Sequence, residues 1–83
     1  MEFTLSAHAS TTIRERRIQL DWIEETLSEP MQIEVDTDDP QLTHALRVIP
    51  EFGDRVLRVI YNRTKQAPHV VTAFFDRGMK GRL

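Results

Sequence analysis

Leu20-Asp21-Trp22-Ile23-Glu24-Glu25-Thr26-Leu27-Ser28-Glu29-Pro30-Met31-Gln32-Ile33-Glu34-Val35 holds the change of period that decides the fold class. Asp21 with Glu24 three residues later resembles a capping box, with Asp in the Ser/Thr role. Leu20, Ile23 and Leu27 follow at helical spacing, and Pro30 closes the segment. Beyond Pro30 the pattern alternates: Met31, Ile33 and Val35 against Gln32, Glu34 and Asp36, as on a strand with one buried face.

Upstream, residues 2–5 read as a short strand with Phe3 and Leu5 on one face. Ser6 stands at a helix N-cap position, where its hydroxyl can accept from a free N–H of the first turn. A helix over about residues 7–17 follows, with a thin stripe of Ala9, Ile13 and the stem of Arg17. Downstream, Thr37-Asp38-Asp39-Pro40 is a turn of Asx type. Leu42, His44, Leu46 and Val48 share one face of a second strand. Residues 55–62 set Leu57, Val59 and Tyr61 against Val56, Arg58 and Ile60, and His69 to Phe75 is a last strand beyond a polar loop. Short strands with short turns favour an antiparallel meander. The expected architecture is α+β: a short N-terminal strand, then two helices packed on one face of a four-stranded antiparallel meander.

Eighty-three residues make one domain, 1–83, with room for one thin core. No cysteine is present, which excludes disulfides and thiolate chemistry. The three histidines lack the pairing that metal sites use, so neither a metal nor a cofactor is expected. No signal peptide or membrane-length apolar run is visible, and a cytoplasmic location is expected. Charge is unevenly spread. Residues 1–54 carry four cations against twelve acids, a net of −8, and residues 55–83 carry seven cations against Asp76 alone, a net of +6. Such a split suggests an anionic or an acidic partner.

Two segments, Ser6-x-His8-Ala9 with Arg14 and Arg17-Ile18, and Leu57-Arg58-Val59-Ile60-Tyr61 followed by Val70 to Asp76, resemble the small bacterial family catalogued as domain of unknown function 4258. Its members look like distant relatives of the RelE/ParE and BrnT toxins, which set a helical pair against an antiparallel sheet. That resemblance implies a toxin-like fold and metal-independent cleavage of RNA by basic and acid–base side chains. The chain departs from the toxin pattern in its acidic pI of about 5.9.

A metal-free ribonuclease needs a base for the 2′-hydroxyl, a cation for the phosphorane and an acid for the leaving oxygen. His8, Arg47, Arg58 and Tyr61 have the chemistry for a catalytic set, with His44 as another base. His8 equally suits a local role at a helix start, and His44, among apolar neighbours, suits a hydrogen-bonded position at the rim of a core. Arg14 and Arg17, together with Arg77 and Lys80 of the basic tail, are candidates for nucleic-acid phosphates. The same cations also suit solvated surfaces. Nothing resembling a phosphate loop, a dinucleotide fingerprint or a nucleophile elbow is present. Two functions remain open: an RNA-directed toxin-like protein, active or decayed, with RNA or an acidic protein such as an antitoxin as partner, and a non-catalytic interaction module, potentially a homodimer paired through Val70–Phe75.

Overall fold

The computed structural model describes residues 1–83. In chain order it forms β1 (Thr4–Leu5), α1 (Ala7–Glu15), α2 (Leu20–Ser28), β2 (Gln32–Val35), β3 (Leu42–Ile49), β4 (Arg55–Asn62) and β5 (His69–Phe75), with short 3-10 turns at Pro50–Phe52 and Arg77–Met79. The α+β class holds. The sheet, however, is a five-stranded mixed one in the order β1-β5-β4-β3-β2, not a four-stranded antiparallel meander. The antiparallel run β2 to β5 is as expected, and β1 adds to it in parallel, with Thr4 opposite His69 and Leu5 opposite Val70. Two residues carry no periodic signal that names a partner. Only the return of β5, more than sixty residues later, supplies the Pro68 and Val70 carbonyls that accept from Thr4 and Ser6. β5 is therefore an interior strand over His69 and Val70, where β1 covers its outer side.

Ser6 caps α1 as its position suggests, its Oγ accepting from Ala9 N at 3.0 Å. The same hydroxyl donates to the Val71 carbonyl, tying the helix start to β5. α1 stops earlier than the periodicity implies. Arg17 is left-handed at φ 56°, Ile18 N bonds back to Ile13 O, and Arg17 N to Arg14 O. This is a Schellman ending, with Ile13 and Ile18 supplying its apolar contact. Ile18, not the Arg17 stem, completes the stripe. α2 begins at Leu20 with Gln19 as N-cap and no side-chain cap, so Asp21 lies inside the first turn and not at the cap. There its carboxylate still complements the positive end of the helix.

Leu57 and Val59 are fully buried on one side of β4, where Ala9, Ile13, Ile18, Trp22, Ile23 and Leu27 of the helical layer pack with Ile49, Val70 and Ala73. A bulge at Val71 moves the register so that Val70 also reaches this side. α1 lies on β5, and α2 on β4 and β3.

This layout reverses the reading of β2. Ile33 and Val35 stand opposite Ala45 and Thr43 on the helix side, yet Met31, Ile33 and Val35 are 51–56% exposed. A helix is about 10 Å across and strands lie about 4.8 Å apart, so each helix roofs roughly two strands. Two helices leave the fifth strand uncovered. The polar row, Gln32, Glu34 and Asp36, is the more buried one.

Candidate functional site

Arg58 projects from the sheet face opposite the helices, where register places it beside Leu46 and Phe74. Its Nε donates to Asp76 Oδ2 at 2.9 Å, and its Nη1 donates to Glu34 Oε1 at 3.0 Å and to His44 Nδ1 at 2.7 Å. Glu34 and His44 are cross-strand partners of β2 and β3, and Asp76 follows directly on β5. His44 Nε2 lies 2.7 Å from Asp36 Oδ1. A guanidinium can only donate, so His44 Nδ1 must accept and the proton sits on Nε2, facing Asp36. The result is a connected chain, Asp76–Arg58–His44–Asp36, with Glu34 on Arg58 and the Gln32 amide donating to Glu34.

Both carboxylates of β2 and its exit titrate low. Asp36 is held below the usual range by its hydrogen bond from His44, then by the backbone N–H groups of Asp39 and Asp38. Glu34 is held low chiefly by the hydrogen bond from Arg58, with burial opposing it and Gln32 assisting. A carboxyl whose folded pKa is depressed adds stability above its unfolded pKa, about 4, and loses it as pH falls through the folded value. These two carboxylates should therefore add stability above about pH 4 and give it up as pH falls below that. Glu34→Gln, less stable at pH 7, should show a shallower decline in urea midpoint on acidification. A decline as steep as that of the parent would separate Glu34 from the acid response.

This network is a poor ribonuclease centre. The lone pair of His44 is directed at Arg58, so it faces no substrate. Arg58 is matched against Glu34, Asp36 and Asp76, an excess of negative charge that repels a phosphate. No group of three or more His, Asp or Glu side chains converges as metal ligands, and the arginine occupies the centre of the cluster.

The structure does not bring the four catalytic candidates together. His8 is exposed on α1, with Nε2 3.5 Å from Thr12 Oγ1. Arg47 and Tyr61 lie on the helix side of the sheet, opposite to Arg58. Arg47 clamps the end of α2, donating from Nε to Glu25 at 2.8 Å and from Nη1 to the Glu29 carbonyl at 2.7 Å. Tyr61 packs against the core. Arg14 and Arg17 are exposed around the end of α1, away from the basic tail in sequence and without an ion pair.

Arg77 and Lys80 do meet, in a pocket of about 320 Å³ that Arg55, Val56, Phe75 and Asp76 complete. Arg55, Arg77 and Lys80 are in no ion pair, and Asp76 is already bound by Arg58 and by Gly78 N. The Arg55 guanidinium lies 4.6 Å over the Phe52 ring, which in turn is 4.9 Å from Phe75 and 5.5 Å from Trp22. Arg55 was invisible as a site residue, since it opens a strand among ordinary alternation. Glu34, Asp36 and His44 carried a faint signal: a turn after Asp36 short enough to place them across from one another.

The model of one family, Domain of unknown function (DUF4258), matches residues 5–75. The chain belongs to that family. The match in DUF4258 terms spans β1 to the end of β5, which includes Arg58 and the whole of the network except Asp76. Neither curated proteins nor solved structures give a match. No helix of this DUF4258 chain is long and apolar enough to cross a membrane.

Proposed function

We propose that this DUF4258 protein is an RNA-directed relative of the toxin-like fold that binds a single strand at its basic pocket and has lost cleavage. One observation carries the reading: three unpaired cations, Arg55, Arg77 and Lys80, surround a pocket floored by Val56 and Phe75. Its volume of about 320 Å³ suits one nucleotide, with phosphate on the cations and a base against the aromatic edge. Loss of cleavage is supported by the separation of Arg58 from Arg47 and Tyr61 on opposite faces of the sheet, with His8 exposed on α1, and by the neutralised state of Arg58. With an overall charge of −2, binding is confined to the local cluster of cations and falls as salt rises.

Three phosphate contacts on a single strand correspond to a log K against log salt slope of about −2, and loss of one contact reduces it by about 0.7. Fluorescence titration of an oligoribonucleotide should return that slope, and Arg55→Ala, Arg77→Ala and Lys80→Ala should each flatten it. Absence of binding at low salt would defeat the reading. Induced expression should leave bulk and messenger RNA intact. RNA cleavage and growth arrest, both abolished by His8→Ala, would show instead that the catalytic function is retained.

A further inference from the structure

β2 is an end strand: β3 occupies one side, and the other side presents unpaired backbone N–H and C=O groups. Its helix-side row, Met31, Ile33 and Val35, is more than half exposed. Its other row carries Glu34 and Asp36, followed by exposed Asp38 and Asp39 in the turn. No lysine or proline interrupts Gln32–Val35, the usual protection of a free edge. An apolar stripe, an open backbone edge and an acidic row thus run side by side along a single strand.

We propose that this edge binds an extended segment of another protein in which apolar residues alternate with lysine or arginine. Antiparallel or parallel, such a strand would satisfy the free backbone groups. Alternation by two sets its apolar side chains beside Met31, Ile33 and Val35, and its cations beside Glu34 and Asp36. A second copy of this chain is the weaker occupant. Two β2 edges would bring Glu34, Asp36, Asp38 and Asp39 of both copies together, with Glu29 just beyond α2, and Arg58 and Arg47 are already engaged with acids of their own chain. This surface is separate from the basic pocket, which borders β4 and β5, so the two proposals stand or fall independently.

The test uses the full chain, labelled with ¹⁵N, and three synthetic octapeptides: alternating lysine–valine, alternating lysine–serine and alternating glutamate–valine. The lysine–valine peptide should shift the amides of residues 31–36 and bind at least tenfold more tightly than either of the others. Ile33→Asn, a change at an exposed position, should weaken it about tenfold with the thermal midpoint unchanged, and Arg55→Ala should have no effect on it. Equal binding of the two lysine peptides would reduce the contact to bulk charge and overturn the proposal. So would shifts confined to other residues, or no shifts. Concentration-dependent shifts of residues 31–36 without peptide, accompanied by dimerisation in sedimentation, would make a second copy the occupant and overturn it as well.

Discussion

Replacing Trp22 by alanine is expected to cost about 3–5 kcal/mol, the range for removing a buried large aromatic from a core that cannot fully collapse. Trp22 is buried at 8% exposure and holds α2 to two other rings, 5.5 Å from Phe52 and 6.0 Å, edge-on, from Phe75. A chain of this length has roughly 4–12 kcal/mol of total stability, so the variant should lose a large share of it and unfold well below the parent's midpoint. Trp22 is the only tryptophan, and its loss removes the fluorescence probe, so circular dichroism during thermal unfolding is the proper readout. A variant within about 1 kcal/mol of the parent would show that the Ile23 and Leu27 contacts alone dock α2. Trp22→Phe, which keeps a ring in the trio, should recover much of the loss.

Arg58→Ala should be the most damaging change outside the core, at about 2–3 kcal/mol. Removing the guanidinium leaves Glu34 and Asp76 without their partner and His44 Nδ1 without a donor. The cost falls short of the 3–5 kcal/mol typical of a broken buried pair because water still reaches Glu34, at 39% side-chain exposure, and Asp76, at 23%. The thermal midpoint should fall by about 10–20 °C. Arg58→Lys keeps the charge but cannot reach three acceptors from one planar fork, and should lose about half as much. A midpoint within 2 °C of the parent for Arg58→Ala, by the same scaling, would mean that the network is energetically idle. This prediction also guards the functional experiments: an Arg58→Ala variant that fails to bind RNA must first be shown to be folded.

Much of the fold could be read without coordinates. The alternation of Leu57 and Val59 with Arg58 correctly separates the two faces of β4, because side-chain direction in a strand follows from local backbone geometry. Ser6 was readable as a cap for the same reason: its hydroxyl bonds a group three residues away. Arg17 was not readable as the end of α1. Left-handed positions are ordinarily marked by glycine, and an arginine there gives no warning. The candidate site was less accessible. Arg58 is a candidate by residue type and strand position, but its partners lie 14, 18 and 24 residues distant. Arg47 and Tyr61 are eligible by residue type alone, and only the pairing of Arg47 with Leu57 and of Tyr61 with Thr43 shows that they face the helices.

Local periodicity and capping settled which residues form helices and strands, because those signals are exchanged between neighbours a few positions apart. Family membership was likewise readable from the motifs of the linear chain, and it extends over residues 5–75. The parallel docking of β1, the exposure of Met31, Ile33 and Val35, the Asp76–Arg58–His44–Asp36 chain and the pocket of Arg55, Arg77 and Lys80 belong to the tertiary structure alone. Each depends on which strand stands beside which, and on how far two nine-residue helices extend across five strands. A one-residue change of register would carry the apolar row of β2 to the other face and scatter the charges that now meet there, and one helix more would cover that row where it stands.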